Sequence, residues 1–110
     1  VQVLRDRAAW ERAWTAFHRG AGAAPAPAVD FAREMVVIVN DGDRSSGGHA
    51  IRVDGTSPGP DGGLVLHATR TSPGPGCMST MVMTAPADIV RVPRAAGPVT
   101  LAVRAVAAPC

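Results

Sequence analysis

Apolar and polar positions change their period once along this chain, and the change divides it. Trp10, Ala13, Trp14 and Phe17 fall at i, i+3, i+4 and i+7, one stripe of a helix, while Arg7, Glu11, Arg12 and Thr15 lie off it. Asp6 is a fair N-cap, and Gly20 and Gly22 supply a stop, so the spacing predicts a helix over 6–18. Its stripe, Trp10, Trp14 and Phe17, is expected to pack the helix onto a sheet. Residues 20–29, "GAGAAPAPAV", read as a linker, because Pro25 and Pro27 remove backbone donors and fix φ.

From residue 34 onward the pattern is that of strands. Apolar or alternating runs occur at 34–39, 49–53, 64–70, 78–83, 88–92 and 99–106. The clusters "DGTSPGPDGG", "TSPGPGC" and "RAAGP" separate several of them with turn chemistry. In the last run Val99, Leu101 and Val103 alternate with Thr100, Ala102 and Arg104, as in a half-buried strand. The prediction is a single α+β domain over 1–110. An N-terminal helix packs on a mostly antiparallel β-sandwich or partly closed barrel of about six strands, the β-region spanning 34–106.

Composition narrows the function classes. All 11 basic residues are arginines, so no lysine nucleophile, Schiff base or phosphate-loop lysine exists here. The formal charge of +2 comes from scattered arginines, and the aromatics are two Trp and two Phe. Nucleic-acid binding needs a concentrated basic face and stacking rings, so no nucleic-acid partner is expected. No apolar run approaches the roughly 20 residues of a membrane-spanning helix, so this segment is not expected to insert directly into a membrane. The chain starts at Val1 and reads as a mature segment from which any targeting signal has been removed.

Cys77 and Cys110 are too far apart for a CxxC redox or zinc pair. Two unrelated buried thiols are one reading. However, Cys77 sits in a Pro/Gly loop and Cys110 follows a proline at the last position, both poor places for core residues. A Cys77–Cys110 disulfide that staples the terminus is expected instead, and with it an oxidising compartment. In the chain-entropy model a loop of this length contributes about 3–4 kcal/mol.

The densest polar cluster is "NDGDRSSGGH", which interrupts two strand-like runs. Asp41, Asp43 and Ser45 alternate like the first ligands of a calcium loop. But Ser46 and Arg52 stand where that loop needs Gly and a bidentate Glu, and Arg44 would repel the cation. "GDRSSG" is followed by Gly48, His49 and a strand, not by the Lys-Ser/Thr and helix of a phosphate loop. Ser45 and Ser46 do not fit GxSxG. His18, His49 and His67 are scattered and suit structural or surface roles. No catalytic residue, metal ligand or cofactor is therefore assigned. What remains is a shape: Gly47 and Gly48 permit positive φ, the serines bond local backbone, and Arg44 projects from the tip as a multi-donor contact. Such a loop is an ordinary hairpin connection or a protein-recognition loop. In the second case Arg44, Ser45, Ser46, Gly47, Gly48 and His49 are its partner-binding residues.

"VDFAREMVVIVNDGDRSSGGHAIRV" followed by "LVLHATRTSPGPGCMSTMVMTAPADIVRVP" resembles the C-terminal domain of the PrcB family of protease-complex subunits. The elements that carry the resemblance are Asp30-Phe31, the turn Gly42–His49, the loop Ser72–Gly76, and Thr84-x-Pro86 running through Val92-Pro93. The helix bearing Trp10 and Trp14 matches the family's upstream helix. Ser46 stands where the family usually has Thr, keeping the hydroxyl, and His49 replaces a usual Tyr, losing ring packing area. The resemblance implies a non-catalytic, extracytoplasmic and often lipid-anchored accessory subunit that associates with a protease and stabilises it. The turn also looks, over that loop alone, like the loop that chagasin-type β-sandwich inhibitors insert into cysteine-protease clefts. A loop-wedge inhibitor and a purely structural lipoprotein domain are the alternatives. The wedge predicts that the turn and the "TSPGPG" loop lie at the same end of the sandwich.

Overall fold

The computed structural model describes residues 1–18, 25–44, 46–78, 81 and 83–108. Among the described residues six strands and one α-helix occur in the order β1 (Gln2–Leu4), α1 (Arg7–Phe17), β2 (Glu34–Asn40), β3 (Ala50–Pro58), β4 (Leu64–Pro73), β5 (Ala87–Pro93) and β6 (Val99–Ala108), with a short 3-10 turn at Pro60–Gly62 between β3 and β4. They form two three-stranded sheets, β1-β2-β5 and β3-β4-β6. Three of the four strand pairings are antiparallel, and β4 with β6 is parallel. The architecture is the expected α+β sandwich, without closure into a barrel.

Strand β2 organises the molecule. Its run Met35–Val39 is buried at all five positions, so both of its faces are covered. Met35, Val37 and Val39 pack with Ile51, Leu64, Leu66, Ala68 and Val92 between the sheets. Val36 and Ile38 point the other way, to Leu4 and Trp10. The strand period of two divides the run between these two cores. Each fully buried Val, Leu or Met contributes about 1.5–3 kcal/mol relative to exposure.

The helix covers that second face. Asp6 caps it, its Oδ1 accepting the Ala9 N–H at 2.8 Å. Trp10 is 3% exposed, and its indole N–H donates to the Pro27 carbonyl at 3.0 Å, tying the segment 25–29 to the helix. Trp14 is half-buried and meets Trp10 edge-on at 5.4 Å. Phe17 departs from the expected stripe: it is 49% exposed and meets His18, not the sheet. Seven residues beyond Trp10, it stands about 10 Å farther along the axis, past the small patch formed by Leu4, Val36 and Ile38. Residues 25–29 have neither helix nor strand, as a linker should, and 19–24 lie outside the described residues.

The structure departs from the expected pattern at three further places. β1 went unpredicted because three residues are too few to show a period, and its pairing with β2 (Gln2↔Ile38, Leu4↔Val36) supplies the stability. β3 continues through Asp54-Gly55-Thr56-Ser57, residues expected to turn, by a register shift between Val53 and Gly55. The Asp88 carboxylate accepts the Val53 N–H at 2.8 Å from the other sheet. The strand expected at 78–83 is not found: Met78, Met81 and Met83 lie outside strands and are 100%, 93% and 71% exposed, while Ser79, Thr80 and Val82 lie outside the described residues.

Candidate functional site

The turn after β2 is built by local capping and then pinned from both sides. Asn40 Oδ1 accepts the Gly42 N–H at 3.2 Å, and Gly42 takes φ +76, a left-handed conformation that suits glycine. On one side the turn runs beside the chain leading into β5. The Asp41 N–H donates to the Pro86 carbonyl at 2.9 Å, and Arg44 and Thr84 exchange both backbone bonds at 2.7 and 2.9 Å. The Thr84 hydroxyl donates to the Ser46 carbonyl at 2.9 Å. On the other side Gly48 lies against Pro73 at the end of β4. A Cβ at Gly48 would stand 2.9 Å from the Pro73 ring, and its φ is +83. The turn and the start of the "TSPGPG" loop therefore lie side by side at one end of the sandwich.

Beneath the turn is a charged cluster that spans the two sheets. Arg70, on β4, donates from Nε and Nη2 to the two Asp41 oxygens at 2.7 and 2.6 Å. Arg44 Nη2 donates to Asp41 Oδ2 and to the Asp41 carbonyl, each at 3.1 Å. The Asp41 side chain is only 7% exposed. The Arg70 hydrogen bonds, aided by Arg44, hold its carboxyl below the usual value of 3.8 against the opposing cost of burial. The same pairing raises the Arg70 guanidinium. Two arginines on one carboxylate make Asp41 an ion-pair partner as it stands, not one of a set of calcium ligands.

This corrects the expected posture of Arg44. It does not project from the tip: its side chain is 34% exposed and folds back onto Asp41. Its Nε is buried and finds no acceptor among the described residues. Of the remaining predicted contact residues, Ser46, Gly47 and His49 are half-buried and Gly48 is exposed, while Ser45 lies outside the described residues. Asp43, not Arg44, is the exposed charge of the turn. Ser46 Oγ and His49 Nε2 are 3.2 Å apart, so His49 keeps a polar contact within the loop.

The other histidines stand elsewhere. His18 Nδ1 lies 3.0 Å from the Trp14 carbonyl oxygen, and His67 Nε2 lies 2.7 Å from Ser57 Oγ. Among the described residues these ring nitrogens contact a hydroxyl or a carbonyl oxygen. Of the two cysteines in the predicted disulfide, only Cys77 lies among the described residues. Cys77 donates its N–H to the Gly74 carbonyl at 3.1 Å, and its Sγ is 3.9 Å from the carbonyl oxygen of Ala108. Cys110, two residues on, lies outside the described residues.

Asp41, Arg70, Pro73 and Thr84 hold the site, roles that the sequence pattern does not announce. Arg70 is 29 positions from Asp41, and no local spacing announces such a pair. The one local signal is that Asp41 stands two residues past the fully apolar run Met35–Val39, at the end of a buried strand.

A family model described as PrcB C-terminal matches residues 35–93, from the buried run of β2 to the end of β5. No curated protein and no solved structure gives a significant match. The matched segment is more than half of the chain and contains the pinned turn, the Asp41–Arg70 pair and both edges of the inter-sheet core, and on that basis the chain belongs to the PrcB C-terminal family, a family of accessory rather than catalytic domains related to protease complexes.

Proposed function

We propose that this chain is a non-catalytic protein-binding domain, an accessory subunit that associates with a protease outside the cytoplasm and stabilises it. The observation that carries this reading is the pinned turn at 41–49. Its backbone is fixed by Thr84 and Pro86 on one side and by Pro73 on the other. A loop ordered before binding loses less conformational entropy on docking than a loose one. Next to it Met83, 71% exposed, offers an adaptable apolar contact one residue from Thr84. Asp43 and Gly48 present a charge and an open stretch of backbone.

One specific observation favours a second reading. The contact between Gly48 and Pro73 sets the two loops together at one end of the sandwich, as a wedge-type inhibitor requires. Stabiliser and inhibitor use the same end of the molecule but differ in effect. The test is capture from the native envelope fraction with the tagged chain, mass spectrometry of what is retained, and assay of any captured protease. A protease that keeps its turnover and gains half-life supports the accessory role. One that loses turnover in proportion to added chain supports the wedge. Capture of no protease, with the folded chain confirmed by circular dichroism, removes both.

A further inference from the structure

The sandwich has four edge strands, and three of them are blunted. β1 is only three residues long. β3 carries the register shift at Val53/Gly55, the charged pair Arg52 and Asp54, and Pro58. β5 carries Asp88, Arg91 and Pro93. Short length, charge, proline and bulges are the devices by which β-proteins prevent edge-to-edge pairing. The fourth edge has almost none of them. β6, "VTLAVRAVAA", is ten residues long, contains no proline and has Arg104 as its single charge. It runs beside β4 through ten consecutive pairs without a register shift. Among the described residues nothing hydrogen-bonds to its outer edge.

The side chains repeat this contrast. Val99, Leu101 and Val103 pair in register with Leu64, Leu66 and Ala68, all of which are buried. Val99 and Leu101 pack partly against the inter-sheet core, yet Val103 is 36% exposed. Ala102 through Ala105 are exposed at every position, so both faces of β6 are open there as well as its edge. At the far end Gly74 and Cys77 crowd the Ala108 carbonyl, which leaves the open run centred near Val103.

We propose that β6 is a homotypic pairing edge, along which a second copy of this chain adds its own β6 antiparallel about a two-fold axis through Val103. The two three-stranded sheets would join into one six-stranded sheet. Centred on Val103, the pairing places Leu101 opposite Ala105 and Arg104 opposite Ala102, so a large side chain meets a small one and no like charges face each other. Centring it one residue later would oppose Arg104 to Arg104, which is unfavourable. A two-fold interface needs a patch complementary to itself, and this edge satisfies that condition in length, charge and side-chain size. The inference is independent of what the turn at 41–49 binds.

Sedimentation velocity at rising protein concentration tests it. The parent chain is expected to form a species of twice its 11.3 kDa mass. Val103→Lys and Val103→Glu, both at an exposed position, should each remain folded by circular dichroism and sediment as monomers, because each places like charges opposite one another. Mixed in equal amounts they should restore the dimer, since Lys then faces Glu. A parent chain that stays monomeric at every concentration overturns the proposal and leaves the edge to a strand of another protein. A parent dimer that both variants retain also overturns it, as does a mixture of the variants that stays monomeric.

Discussion

Asp41 and Arg70 join the two sheets through a two-pronged ion pair, with Arg70 Nε and Nη2 at 2.7 and 2.6 Å from the two carboxylate oxygens. Asp41 directly follows β2 in one sheet and Arg70 lies on β4 in the other. The pair therefore fixes where the turn at 41–49 leaves the sandwich. Asp41→Asn keeps the size and removes the charge. It should lower stability by about 1–2 kcal/mol, the lower part of the range for charged hydrogen bonds because the arginines remain in contact with water.

The same pair predicts an acid limb. The Asp41 carboxyl is held below its ordinary 3.8 in the folded chain, so its contribution is complete above that value and is lost as the pH falls through the folded pKa. Denaturant melts should show stability falling below about pH 4. Asp41→Asn should flatten that limb, and an unchanged pH profile in the variant would show that Asp41 is not its source.

Trp10 and Phe17 should respond very differently to truncation although both sit on the helical stripe. Trp10→Ala empties a buried site and should cost about 3–5 kcal/mol. Phe17→Ala removes a half-exposed ring and should fall within about 1 kcal/mol of the parent. Equal losses in urea melts would place Phe17 in the core after all.

Arg44→Ala offers a way to separate folding from docking. It removes a contact to Asp41 but also a buried Nε that lacks an acceptor, two effects of opposite sign. The net change in stability should stay within about 1 kcal/mol. Gly48→Ala should act on the turn itself. The left-handed conformation costs a non-glycine residue about 1–2 kcal/mol. The added methyl would also press on the Pro73 ring. Binding to a captured protease should weaken in Gly48→Ala more than in Arg44→Ala, which isothermal titration can read directly. The opposite order would return Arg44 to the role of anchor.

The Cys77–Cys110 bridge is proposed from placement: the Cys77 sulfur lies beside Ala108, two residues before the chain's last cysteine. Intact-mass measurement after alkylation without reductant should add no label, and label should appear at both cysteines once reductant is present. Two labelled cysteines in the unreduced chain would remove the bridge, and with it an argument for an oxidising compartment.

Local periodicity carried much of the fold. The helix was legible because Trp10 and Trp14 stand one turn apart with a capping Asp6, and β2, β4, β5 and β6 because their apolar runs end at turn residues. Two of the misses share one property, that the deciding interaction is distant in sequence. β1 exists because β2 is beside it. β3 continues past its turn residues because the bulge and Asp88 accommodate them. The apolar run at 78–83 lies outside strands at each described position, so hydrophobicity alone did not make a strand there. In the turn, Gly48 takes the positive φ expected of the Gly47-Gly48 pair, and so does Gly42, which the sequence pattern does not single out. Arg44 reads as free because no local pattern reveals that Asp41, three residues back, is drawn inward by Arg70 on the other sheet.

The double burial of β2 also has a kinetic consequence. The amides of Val36 to Val39 sit in the middle strand of one sheet, with the helix on one side and the second sheet on the other. Exposing them requires that both contacts separate, so their hydrogen exchange should follow global unfolding instead of local opening. The turn at 41–49 begins one residue after this strand ends. Its root should therefore be among the slowest-exchanging backbone in the molecule, and a partner gripping the turn would be pulling on the part of the chain that yields last.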